Sequence, residues 1–169
     1  MPRRLFALDQ NFPQPIVELL SEFMAEAELV AVADIDARLI DLDDWEMLLA
    51  LHFHKRAWDG LITTDSGMLA LPRELCVLMQ TRLTLVVADA AGHDPLKATG
   101  LVLTYLPWIA YQTRPDEAQL WVLRAANKPH ENPWDRLARI AGRRGTTAKA
   151  LFQAERLSHE ELNRDPLAD

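Results

Sequence analysis

The chain has 169 residues, 49% of them hydrophobic and 25% charged, which is the size and usage of one globular domain and excludes a disordered, collagen-like or disulfide-built protein. Lys and Arg number 18 against 25 Asp and Glu, a net charge of −7 with a pI near 5.2. That balance excludes indiscriminate coating of nucleic acid, which needs Lys and Arg to displace counterions from phosphate.

Arg3 to Leu8 reads as a first strand ending at Asp9, followed by a loop with Pro13 and Pro15. From Ile16 the apolar positions Val17, Leu20, Met24 and Ala27 recur at helical spacing. Leu29 to Ala33 is a second strand, stopped by Asp34-Ile35-Asp36. Asp43 or Asp44 caps a helix carrying Met47, Leu48, Leu51 and Phe53, which Gly60 ends. Leu61 to Thr64 is a third strand, and Pro72 opens a helix through Leu83. Leu85 to Ala88 is a fourth strand, stopped at Asp89. Pro95 begins a long apolar helix through Ile109, interrupted at Pro107, and Ala118 to Leu123 is a fifth strand. Asn127 to Pro133 is a connector, with helices at Trp134–Ala141 and Thr147–Leu157 beyond it. Strands alternating with helices, the strands being continuous apolar runs, predict an α/β fold around a mostly parallel sheet.

Cys76, the only cysteine, lies in Leu75-Cys76-Val77-Leu78, the setting of a buried structural thiol in a reducing compartment. No run reaches the ~20 apolar residues of a membrane-spanning helix, so the expectation is a cytoplasmic protein with no membrane attachment. Trp108, Trp121 and Tyr105 lie in apolar stretches and are expected in the core. His52 and His54, two apart on a helix, are badly spaced for a shared metal.

Ligands of a parallel α/β sheet bind beyond the carboxyl ends of its strands. Asp9, Asp34, Asp65 and Asp89 all follow strand ends, and Asp44 opens a helix. Any one of these is a common turn former or cap. Several together predict a divalent cation, because converging carboxylates repel one another without one, and Mg²⁺ or Mn²⁺ suits oxygen ligands. Asp34, Asp36, Asp41 and Asp43 read as a solvated acidic loop. Charge is also uneven along the chain: residues 1–123 hold 9 basic and 18 acidic side chains, whereas 124–169 hold 9 and 7.

Leu8-Asp9-Gln10-Asn11-Phe12-Pro13 resembles the opening motif of PIN-like domains. Asp44-Trp45-Glu46-Met47-Leu48-Leu49-Ala50 is similar to that family's acid-led helix, and Leu61-Ile62-Thr63-Thr64-Asp65 to the strand delivering a later acid. The resemblance covers about residues 4–90. It implies a three-layer α/β sandwich, assigned to residues 1–125; residues 126–169 do not share the resemblance and read as a helical extension packed on it. The resemblance further implies a metal-dependent endoribonuclease, a phosphodiesterase whose Asp9, Asp44 and Asp65 hold Mg²⁺ or Mn²⁺ and act on RNA. Toxins of toxin–antitoxin pairs belong to this family, so an antitoxin or other protein partner and a homodimer are expectations too. Arg136, Arg139, Arg143 and Arg144 are the candidate nucleic-acid contacts. Two features depart from the family pattern: Gly67 stands where many relatives carry another acid, and the second family acid has no clear match, with Asp36, Asp41, Asp43 or Glu46 as candidates. The alternative is therefore a catalytically silent PIN-like module that binds a protein partner.

Overall fold

The computed structural model describes residues 3–12, 19, 22–89, 91, 94–124 and 130–168. Six strands, β1 (Arg4–Leu8), β2 (Ala27–Ala31), β3 (Gly60–Thr63), β4 (Thr84–Ala88), β5 (Gln119–Leu123) and β6 (His130–Glu131), form one sheet in the order β2-β1-β3-β4-β5-β6. The first five are parallel and β6 is antiparallel to β5. The helices among the described residues are α1 (Val32–Ile35), α2 (Asp44–Phe53), α3 (Pro72–Thr81), α4 (Pro95–Gln112), α5 (Pro133–Arg143), α6 (Ala148–Glu155) and α7 (His159–Leu162). Two 3₁₀ turns, Ala37–Asp41 and Ser66–Ala70, complete the elements. The chain is thus α/β with a mostly parallel sheet, as its alternating apolar runs predict.

Successive strand residues face opposite sides of a sheet. Leu5 and Ala7 accordingly enter one buried cluster, with Leu48 of α2, Leu78 of α3, Leu137 of α5 and Leu151 of α6. Phe6 and Leu8 enter the other, with Val102, Leu106 and Ile109 of α4. Each fully buried Leu or Phe contributes about 1.5–3 kcal/mol. The two clusters explain why these strands show no polar alternation. No helix among the described residues is long and apolar enough to cross a membrane.

Several boundaries differ from the sequence reading. Of the helix predicted from Ile16, residues 16–18 and 20–21 lie outside those described. Ala27, assigned to that helix, opens β2, and Ala33 and Asp34 belong to α1 instead of ending a strand. Gly60 does not end α2, which stops at Phe53. It opens β3, where a Cβ would lie 1.9 Å from the Thr84 carbonyl oxygen, so only glycine lets β3 and β4 pair here. Pro107 does not interrupt α4. Its ring removes the helical donor of the Leu103 carbonyl, and Leu103 lies on an exposed side of the helix, 40% exposed. The connector contains β6, and α7 was not anticipated. Trp121 is buried, but Trp108 lies on the outer side of α4, 47% exposed and edge-on to Trp121 at 5.2 Å. Tyr105 is only partly buried.

Cys76 is fully buried, and burial pushes its thiol up to about 12. The His54 ring accepts from the Trp58 indole at 2.9 Å and from the Arg56 amide at 3.1 Å, which explains it structurally.

Candidate functional site

Because β1, β3, β4 and β5 are parallel, the residues that follow them collect along one edge of the sheet. Those residues include Asp9, Asp65, Asp89 and Arg124. Strand placement also changes side between β1 and its neighbours β2 and β3, the kind of crevice where such sheets take ligands.

Asp9 is 3% exposed. Its Oδ2 accepts from Thr63 Oγ1 at 2.7 Å and from Asn11 Nδ2 at 3.3 Å, while its amide donates to the Ile62 carbonyl at 2.9 Å. Thr63 Oγ1 in turn accepts from the Asp65 amide at 2.9 Å. One buried hydroxyl thus ties two of the three expected acids together. Asp65 turns back to accept from the Gly67 amide at 2.7 Å, and a Cβ on Gly67 would lie 2.8 Å from that carboxylate oxygen. Gly67 therefore fixes how Asp65 is presented.

Asp44 begins α2. Asp43, not Asp44, is the cap, in a box where the Glu46 carboxylate accepts from the Asp43 amide at 3.1 Å. This leaves Asp44 for the site and occupies Glu46 elsewhere. The Asp44 carboxyl is raised from an ordinary 3.8 to about 6, first by burial and then by the negative charges of Asp65, Asp9, Glu74 and Asp43. Asp9, Asp44 and Asp65 thus share one electrostatic neighbourhood. Asp36 is different: hydrogen bonds from Arg38 hold its carboxyl down at about 2, and it caps the 3₁₀ turn Ala37–Asp41, so the expected acidic loop is instead α1 and that turn, with Asp34 and Asp41 exposed on them.

The donor set is all oxygen and acidic, the chemistry of a hard divalent cation. A cation would also offset that part of the Asp44 rise which comes from the neighbouring acids, burial being the larger part. Among the described residues, however, no three His, Cys, Asp or Glu side chains stand close enough to hold a metal as placed. The field between the three acids is shared, but their coordination shell is not assembled.

Beside the acids lies a pocket of about 380 Å³ lined by Arg124, Arg136, Arg139, Arg143 and Arg144, with Ser66 and Asp89. Ser66 Oγ donates to Asp89 at 2.6 Å, and Arg124 pairs with the same carboxylate. Glu131 pairs with both Arg136 and Arg139. Arg136 is lowered from its ordinary value by burial and by nearby Arg124. All four expected arginines therefore line one concavity, two of them already paired.

Sequence reasoning assigned no role in the site to Thr63 or Glu74, and marked Asp89 only as one of the acids that follow strand ends. Thr63 carried a weak signal, a hydroxyl two positions before an acid at a strand end. Glu74 is 7% exposed on α3 and its carboxyl is raised by burial; nothing in its apolar surroundings marked it. Compared with known proteins, the chain matches no family model, no curated protein and no solved structure.

Proposed function

We propose that this chain is a metal-dependent phosphodiesterase of PIN-like type, a three-layer α/β sandwich that cuts RNA. The observation that carries the reading is the placement of Asp44 beside Asp65 and Asp9 at the carboxyl edge of a parallel sheet, its carboxyl raised first by burial and then by the charges of those two acids. In this reading Asp9, Asp44 and Asp65 would hold Mg²⁺ or Mn²⁺. When bound, such a cation would supply Lewis-acid activation of water and of the phosphoryl group. Thr63 and Asn11 orient Asp9, Gly67 orients Asp65, and the capping box at Asp43 fixes the start of α2. The arginines of α5 attract the phosphate backbone that an acidic chain would otherwise repel. The same resemblance supports a toxin-like role, an antitoxin or other protein partner and a homodimer, while the single buried thiol of Cys76 supports a cytoplasmic location.

The test is calorimetric titration of Mg²⁺ and Mn²⁺ into wild type and Asp9→Asn, alongside cleavage of single-stranded RNA. Stoichiometric binding and cleavage, both lost in the variant, support the enzyme. A folded wild type that binds neither ion at millimolar concentration refutes it. The second reading, a silent module that docks a protein, is favoured by the unassembled carboxylates and by Gly67 in place of an acid.

A further inference from the structure

We propose that the arginine pocket recognises a terminal phosphate, the phosphomonoester end of a nucleic-acid strand, and does not merely track a running backbone. The proposal rests on the phosphodiesterase reading of the neighbouring acids and adds the feature of the strand that places it there.

The first argument is convergence. A backbone track spreads its cations along a surface, whereas here five guanidinia border a single concavity. Its volume, about 380 Å³, falls within the range of about 300–1,000 Å³ typical of small-ligand sites. The second argument is charge. Asp89 and Glu131 are the carboxylates paired with Arg124, Arg136 and Arg139. Arg143 and Arg144 have no side-chain ion pair among the described residues. The pocket is therefore left with surplus positive charge. A phosphodiester brings one negative charge and two free oxygens. A phosphomonoester brings about 1.5 to 2 charges and three acceptor oxygens, enough to engage the two spare guanidinia and to compete with the resident carboxylates for the others. Planar guanidinium forks match phosphate oxygens two at a time. The third argument is position. Ser66, which borders the pocket, is the neighbour of Asp65, so a strand held here by its end passes the acids within its first nucleotides.

The test uses metal-free protein in EDTA, so that binding is read without cleavage. Fluorescence anisotropy compares one single-stranded RNA sequence with a 5′-phosphate, a 3′-phosphate or hydroxyls at both ends, and inorganic phosphate serves as competitor. One phosphorylated end is expected to bind about tenfold tighter, the worth of one charge-assisted contact, and the end that gains identifies the polarity. Arg143→Gln with Arg144→Gln erases the preference. Replacing the same pair by lysine keeps salt-dependent binding but loses most of the preference, which separates fork recognition from bulk charge. Asp9→Asn keeps it. Equal affinity for all three RNAs, or a preference that survives the double glutamine variant, overturns the proposal. A surviving end preference without metal-dependent cleavage instead refutes the phosphodiesterase reading, so the two failures are distinct.

Discussion

Replacing Asp44 by Asn should stabilise the metal-free protein at neutral pH, an unusual outcome for a residue placed in a functional site. A rise from 3.8 to about 6, at about 1.4 kcal/mol per tenfold change in proton affinity, makes ionisation about 3 kcal/mol harder in the folded chain than in the unfolded one. The side chain is only half-buried, and solvent screening reduces this to about 1.5 kcal/mol. Losing a negative charge from the first turn of α2 returns about 0.5 kcal/mol of helix-dipole stabilisation. The net gain at pH 7 is about 1 kcal/mol. Because the folded carboxyl lies above its unfolded value, its contribution is fully present below about 3.8 and is lost as pH rises through about 6. The gain of Asp44→Asn should therefore vanish towards pH 4. Urea denaturation in EDTA at pH 7 and pH 4 measures both values. A variant less stable than wild type at pH 7, or a gain equal at the two pH values, would refute burial and crowding of the Asp44 carboxylate as the cause. Added Mg²⁺ should reverse the ranking, stabilising wild type alone.

Three other outcomes follow from the packing. Gly60→Ala forces a methyl against the Thr84 carbonyl and should cost about 3 kcal/mol or more, read as a lower urea midpoint; a midpoint within error of wild type would mean that β3 and β4 are not so closely paired. Thr63→Val keeps the shape but removes a donor to Asp9 and an acceptor for the Asp65 amide, costing about 1–3 kcal/mol and weakening metal binding, whereas unchanged affinity would show that Asp9 needs no such orientation. Native Cys76, fully buried with its thiol raised to about 12, should react with a disulfide reagent only as fast as the chain unfolds; rapid labelling of folded protein would contradict its burial.

Much of the sheet was legible because strands buried on both faces show as apolar runs, and Asp9, Asp65 and Asp89 marked its carboxyl edge. Asp44 was legible as an acid at a helix start, although only the structure separates it from Asp43, since either spacing would cap α2. What stayed hidden was set by contacts distant in sequence. Gly60 looked like a helix terminator because its actual constraint, the Thr84 carbonyl, lies across the sheet. Two-residue β6 is too short to show a period. In α4 the apolar side chains run all round the helix, with Leu96, Leu103 and Tyr111 exposed, so no pattern could place Trp108 outside. Likewise the pairing of Arg124 with Asp89, and of Glu131 with two arginines, follows from three-dimensional neighbourhood.

The way the three acids are mounted decides which contacts place each of them. Asp9 follows a strand locked by ladders on both sides, and Asp65 is tethered to the end of β3 through Thr63. Asp44 stands instead at the start of an α-helix, held by the reciprocal bonds of Asp43 and Glu46. Two of the carboxylates are therefore placed from the sheet and the third from a helix cap, so that losing the Thr63 hydroxyl should disturb the first two together, whereas losing the Glu46 carboxylate should disturb Asp44 by itself.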